Sequence, residues 1–421
     1  MRVEAGSGPP SPGSDESGLP GRYLALFCLT YFVTTTDSQN IPPVLPAVGR
    51  GFGAEPAALA TLLPAYGLAA AMTSIVAGAA SDRVSVRRAL PWGYSLLIAG
   101  LLSCALAPSI SLLLLGRVVT AAGASTLSLA MMVRIGELFR QRQGPAMGWF
   151  VMGGMAAAVV GLPLAAGSVA AWGWRAPFAG LFILAGLVGL IFVALERTQS
   201  SRESREGVSP STRKLPSAGG HRPLPGARGV LVLSLGLIFN LSTHSMLAIL
   251  GLWCAERFGF SSVRIFAYYI AAGLAGLAAS PLAGRLAQSL GLQRTIFEAN
   301  LGLMIVLPLV AYSPGPMPLL LLFMTASALA IGRIVPYHVL TLRTGLPGHQ
   351  AWFVGLRNAI SQLGVFAGAA AGGVIYTGLK LGYGAVGLFA GLACAAAWVL
   401  LSRLERSGGG AESAASAGPS R

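Results

Sequence analysis

The chain has 421 residues, 54% of them hydrophobic and only 10% charged, where an ordinary soluble domain carries about 25% charged residues. That deficit, with a mean hydropathy of +0.69, excludes a soluble enzyme, a disordered chain and a dedicated nucleic-acid binder. The net charge of +15 therefore needs another origin, and its placement along the chain supplies one.

Residues 1–21 are polar and rich in Gly, Ser and Pro. They lack the apolar stretch of a cleavable signal and read as a disordered cytoplasmic tail. A helix needs about 20 apolar residues to cross about 30 Å of hydrocarbon, and twelve such runs follow. The first half, 22–195, holds Tyr23–Ala47, Leu59–Ala80, Ala89–Ala107, Ser111–Val133, Ala146–Ala170 and Pro177–Leu195. Residues 196–228 are polar and rich in Arg, Pro, Ser and Gly, as a flexible loop would be. The second half, 229–402, holds Gly229–Cys254, Ile265–Leu286, Thr295–Tyr312, Pro316–Leu340, Ala351–Tyr376 and Gly382–Leu401. Residues 403–421 are low in complexity and read as a disordered tail. The runs are too long for strands and lack period-two alternation. The predicted fold class is all-α integral membrane, with twelve transmembrane helices in two six-helix pseudo-symmetric halves.

An even number of spans puts both termini on one side. With the termini cytoplasmic, twenty-two Lys and Arg residues fall on cytoplasmic segments, five on external ones, and Arg117 and Arg333 inside spans. Arg357 is among the twenty-two. The positive-inside rule fixes that orientation and explains the basic charge without nucleic acid. All seven tryptophans lie near segment ends, as an interfacial belt predicts. The four cysteines are too few for a disulfide scaffold and the four histidines show no metal spacing. No metal site or cofactor is expected.

The halves look repeated. Gly78-Ala-Ala-Ser-Asp82-Arg83-Val-Ser85-Val-Arg87-Arg88 ends the second span, and Gly284-Arg-Leu-Ala-Gln288-Ser289-Leu-Gly291-Leu-Gln293-Arg294 ends the eighth, 206 positions later. The same offset relates Arg22 to Arg228 and Leu195 to Leu401. A repeat of this kind is a transporter signature, with the site between the halves near the bilayer midplane. The Gly78–Arg88 segment resembles the G-x-x-x-D-R-x-G-x-R-R loop motif of the major facilitator superfamily, with Ser85 at the usual second Gly. Arg117 and Gly123 resemble that family's R-x-x-x-G-x-G element, with Ala121 in place of the first Gly. Trp172-Gly-Trp-Arg175-Ala-Pro-Phe178 is similar to its loop between the fifth and sixth spans. Asp37 with Leu45-Pro46 resembles the first-span pattern of its drug and metabolite antiporters. The antiporter motif of the fifth span is degraded to Gly161-Leu-Pro163-Leu-Ala-Ala-Gly167. The resemblance covers Arg22 to Arg406 and implies the major facilitator fold and alternating access between the halves.

An ionised side chain in a helix centre costs about 2.5–3.5 kcal/mol on insertion scales. Asp37 lies about 22 Å from the inner surface at 1.5 Å per residue, at the depth of Arg117. The two can pair across the first and fourth spans. They form either a proton-coupling site in the transport cavity or a structural ion pair supporting the helix break at Pro42-Pro43. For Gly78, Asp82, Arg83, Arg87 and Arg88 the resemblance implies a cytoplasmic gate, with Asp82 facing the start of the eleventh span near Ala351. The alternative is a positively charged anchor with an ordinary turn. In the second half Asn240, His244, Arg333, Asn358 and Gln362 are substrate-cavity candidates, although polar residues in spans also simply bond neighbouring helices. Arg333 needs a partner, from backbone carbonyls or from substrate. The G-x-G-x-x-G at Gly382–Gly387 opens an apolar span and follows no strand, so it is no dinucleotide site. No P-loop or catalytic motif is found.

The expected function is secondary transport, as proton-coupled efflux of a small amphipathic drug or metabolite. The alternative is uptake or uniport of a small organic anion or nutrient, with Arg117 and Arg333 binding the anion. A membrane receptor or membrane enzyme would need a soluble domain or a cluster of catalytic groups. The expected partners are a small-molecule substrate, the proton as coupling ion and the lipid bilayer. A monomer in a bacterial inner membrane is expected.

Overall fold

In the computed structural model the described residues are 19–53, 62–80, 86–205, 225–345 and 349–416. All regular structure among them is helical. The first span is broken into α1 (Leu19–Gln39) and α2 (Ile41–Phe52). The second to sixth spans are α3 (Leu62–Ala80), α4 (Val86–Ala105), α5 (Ile110–Leu138), α6 (Gln143–Trp172) and α7 (Ala176–Arg205). The seventh to twelfth are α8 (Ala227–Phe258), α9 (Ser262–Ser289), α10 (Leu292–Ala311), α11 (Pro316–Thr344), α12 (Gln350–Gly378) and α13 (Gly382–Ser416). Nine of the described helices are individually long and apolar enough to cross a bilayer.

Local chemistry sets the ends. The Ser109 hydroxyl caps α5 by accepting from the Leu112 N–H at 3.3 Å, and Ser261 caps α9 in the same way through Arg264 at 3.4 Å. Gly53 and Gly259 close α2 and α8 with φ of +59° and +63°, a conformation costly for a side chain. The break after Gln39 follows from Pro42 and Pro43, which supply no N–H to the preceding turn. α6 and α12 each contain a π turn, Ala157–Gly161 and Val374–Gly378. The first lies just before Pro163, whose missing N–H disturbs the ordinary ladder there.

Helical structure outruns the apolar segments at two places. α7 continues to Arg205, into the segment expected to be a loop, and α13 continues to Ser416, past the boundary expected at 402. An apolar run marks the hydrocarbon, whereas a helix continues until a breaker stops it. The rest of the loop at 206–224, and residues 1–18, lie outside the described residues. Trp174 and Trp253 are each only 6% exposed, so at their segment ends they pack inside the protein. Trp174 instead carries the Arg175 guanidinium 4.3 Å from its ring, and Arg175 Nη2 donates to the Ala107 carbonyl at 2.8 Å. That contact holds the loop between α6 and α7 down.

The packing within one half recurs in the other. The first span packs on the fifth and sixth, the second on the fourth, and the third on the fourth and sixth. The seventh packs on the eleventh and twelfth, the eighth on the tenth, and the ninth on the tenth and twelfth. Glycines make the tightest of these contacts possible. A Cβ on Gly153 would strike the Cys28 backbone, and one on Gly372 would strike the Ser245 carbonyl. The small-residue runs in α6 and α12 are thus seams inside each half. Between the halves, the second span packs on the eleventh and the fifth on the eighth, again an exchange-symmetric pair.

Candidate transport cavity

Asp37 sits near the end of α1, beside the break at Asn40. Arg117 on α5 donates from Nη1 to Asp37 Oδ1 at 2.5 Å and from Nη2 to the Asp37 backbone carbonyl at 3.1 Å. The last carbonyls of a helix lack helical partners, and the guanidinium takes one of them here. Both side chains are fully buried. The guanidinium also lies 4.4 Å from the centre of the Tyr66 ring. Asp37 Oδ2, Arg117 Nε, Thr36 Oγ1 and both side-chain polar atoms of Asn40 make no hydrogen bond among the described residues. The break therefore gathers under-satisfied polar atoms, which water or a proton would relieve.

Between the halves lies a cavity of about 740 Å³. Tyr66 forms part of its wall, while Asp37 and Arg117 lie behind that wall and do not line it. The pair is made as its depth predicted, but within the first half rather than in open cavity space. Asn240, His244, Asn358 and Gln362 all line the cavity. His244 Nδ1 lies 3.0 Å from the Asn240 carbonyl one turn back, and Asn240 Nδ2 donates to the Gly236 carbonyl at 2.9 Å.

Arg333 belongs elsewhere. It is 1% exposed and does not line the cavity. Its Nη1 donates to Asn300 Oδ1 at 2.9 Å, and its Nη2 to the Phe239 carbonyl at 2.9 Å and to Thr243 Oγ1 at 3.0 Å. Asn300 in turn donates to the Cys394 carbonyl at 2.8 Å. One guanidinium thus ties α8, α10, α11 and, through Asn300, α13. Backbone carbonyls and neutral side chains are its partners.

Arg357 is the functional candidate that the charge census misplaced. It was counted with the cytoplasmic residues because it falls seven residues into its span, yet it is 5% exposed and lines the cavity. Moving it inside leaves twenty-one cytoplasmic cations against five, so the asymmetry stands. The signal was present: a regular helix starting at Gln350 carries Arg357 two turns inward.

The ends that carry the chain termini are shut. The Ser280 hydroxyl donates to the Gly148 carbonyl at 2.6 Å, Gln288 Nε2 to the Gln141 carbonyl at 3.3 Å, and Arg343 Nε to Gln143 Oε1 at 3.2 Å. A Cβ on Gly78 would stand 3.0 Å from the Ala351 carbonyl and 3.2 Å from Gly355 Cα. Gly78 therefore meets the start of the eleventh span, the neighbour expected for the loop motif. Asp82, Arg83 and Ser85 lie outside the described residues, and Arg87 and Arg88 open α4, Arg88 exposed. From this closed floor the cavity extends past Thr35 and Gln39, Leu250 and Tyr383, toward the opposite ends of the helices.

Two pseudo-symmetric six-helix halves enclosing a central cavity, shut at one end, define a membrane carrier. The sequence profile of the Major Facilitator Superfamily matches residues 27–344, and the chain belongs to that superfamily of transporters. It is 25% identical over 361 residues to an uncharacterized MFS-type transporter, YceJ, of Bacillus subtilis, covering 83% of this chain and 88% of that one. It is 24% identical over 358 residues to the "Putative multidrug resistance protein MdtD" of Escherichia coli, covering 75% and 74%. Among solved structures, the human organic anion transporter MFSD10 (TETRAN) superposes with a TM-score of 0.75 at 15% identity, over 91% of this chain and 99% of that one. FucP in its outward conformation gives 0.73 at 13% identity, over 92% and 99%.

Proposed function

We propose that this chain is a proton-coupled transporter that expels small amphipathic molecules from the cytoplasm of a bacterial cell. Both termini are cytoplasmic in this reading, as the charge asymmetry argues. The shut floor is then the cytoplasmic side and the cavity faces outward. The chain works as a monomer, since the cavity lies between its own two halves.

One observation carries the coupling: the buried Asp37–Arg117 pair stands one ring behind the cavity wall, beside the break in the first span. The 2.5 Å bond and the bond to the Asp37 carbonyl together clamp α1 at the point where it would hinge. Protonating the carboxylate removes its charge and weakens the first of these bonds, leaving the carbonyl bond alone to hold the clamp. Proton arrival thereby loosens the hinge, and substrate pressing on Tyr66 acts on the same guanidinium from the other side. One pH unit supplies about 1.4 kcal/mol per proton, and the membrane potential about 2.3 kcal/mol per charge per 100 mV. Kinship with MdtD supports the efflux direction.

The test uses the full chain in proteoliposomes with an imposed pH gradient and a panel of amphipathic dyes. The unmodified protein should move dye against its gradient. Asp37→Asn should lose that accumulation while keeping dye exchange at equal pH. Equal pH-driven transport by Asp37→Asn and the unmodified protein would remove Asp37 from the mechanism.

A further inference from the structure

The cavity is electrically one-sided. Among the described residues that line it there is no Asp or Glu, and Arg357 is the only charged one. The two other buried arginines are spoken for. Arg117 is neutralised by Asp37, and Arg333 donates from both terminal nitrogens to Asn300, Phe239 and Thr243, although the Nε of each is unpartnered among the described residues. Arg357 has no such set. Its Nη2 meets only the Met132 sulfur, at 3.0 Å, and a thioether is a weak acceptor. Its Nε has no hydrogen-bond partner among the described residues. Its guanidinium lies 5.6 Å from the Tyr337 ring centre, a weak cation–π contact. A buried, unpaired cation costs more than that contact returns. Beside it on the cavity floor, His338 Nδ1 and Ser361 Oγ are also buried without partners.

We infer that Arg357 is the anion-binding residue of the transport cavity, and that the substrates are amphipathic carboxylates. A carboxylate matches the guanidinium fork with two parallel charge-assisted bonds, and no point charge on the cavity wall competes for it. His338 and Ser361 supply further donors at the same end. The opposite end is lined by Leu247, Leu250, Leu307, Val310 and Phe323, which suits an apolar body. The substrate therefore sits with its charge on the shut floor and its apolar part toward the open mouth. This inference rests on the transporter reading above and corrects the earlier assignment of anion binding to Arg117 and Arg333.

The experiment measures equilibrium binding of three matched probes to the full chain in nanodiscs: naphthoate, naphthamide and naphthylmethylamine. These share one apolar body and carry a negative, a neutral and a positive head. Naphthoate should bind at least about tenfold more tightly than either relative. Arg357→Gln should erase that preference, bringing naphthoate down to the level of naphthamide. Arg357→Lys keeps the charge but loses the fork, and should retain part of the preference. The comparison of the three probes on the unmodified protein needs no variant, so a variant that fails to fold leaves the inference exposed to refutation. Equal or tighter binding of the amide or amine, no naphthoate binding at millimolar concentration, or an undiminished preference in Arg357→Gln each overturns it. The two readings fail separately. Amine-driven proton flux without naphthoate binding would sink this inference and keep proton coupling. Arg357-dependent naphthoate binding without pH-driven flux would do the reverse.

Discussion

Removing Arg117 alone from the Asp37–Arg117 pair should be far worse than removing both charges. Arg117→Gln deletes the 2.5 Å bond to Oδ1, the 3.1 Å bond to the backbone carbonyl and the stack on Tyr66. It strands a fully buried carboxylate whose other oxygen already has no partner among the described residues. Breaking a buried pair from one side costs about 3–5 kcal/mol. Asp37→Asn is milder, because the amide oxygen still accepts from Nη1 and the carbonyl bond and the ring contact survive. The cost there is about 2 kcal/mol, that of weakening a charged hydrogen bond. Independent sites would give a double variant worse than either single one. The structure predicts instead that Asp37→Asn with Arg117→Gln lies near Asp37→Asn alone, a coupling of about 3–5 kcal/mol. The assay is heat inactivation of detergent-extracted protein, followed by fluorescence-detected size exclusion. Because such unfolding is irreversible, the order of the variants is the readout rather than a free energy. Survival of Arg117→Gln equal to the unmodified protein, or a double variant as poor as Arg117→Gln, would refute the reasoning.

Three further outcomes are expected. Gly284→Val should force the floor apart, since even a Cβ there strikes the Gly144 carbonyl, and should raise thiol labelling of Ser280→Cys from the cytoplasmic side; unchanged labelling would mean the floor is not held at this point. Gly372→Leu should abolish folded protein by splitting α12 from α8, which detergent-extracted yield would reveal. Topology reporters at Arg213 and at the C-terminus should report cytoplasm and one at Trp172 the outside, and an external signal at Arg213 would invert the arrangement.

The sequence allowed the spans to be counted because each needs a long apolar run, and it allowed the Asp37–Arg117 pairing because depth follows from helical rise. Arg357 escaped for the same reason that Asp37 did not. A charge seven residues from a span's end is equally compatible with an interfacial anchor and an interior ligand, and hydropathy does not say which way it points. Arg333 was recognised as costly, yet its partners are carbonyls and neutral side chains that carry no signature in sequence. The break at Asn40 was marked by Pro42 and Pro43. The π turn at Val374–Gly378 has no such marker, because it reflects how α12 seats against its neighbours. The loop motif around Asp82 was legible, but the described structure gives positions only to its two ends, Gly78 on α3 and Arg87 and Arg88 on α4.

At the shut floor the α6 and α9 backbones touch at Gly144 and Gly284, with no side chain between them. A knob seated in a hole must be lifted out before two helices can part. Two bare ribbons can roll and slide across one another with almost no change in buried area. The floor therefore behaves as a bearing rather than a lock. The α6–α9 crossing itself adds little resistance. The floor is held by the polar bonds at its rim and by the apolar cluster that joins the halves around Met132, Leu342 and Val354. The rate of the transport cycle should respond to those contacts rather than to the crossing.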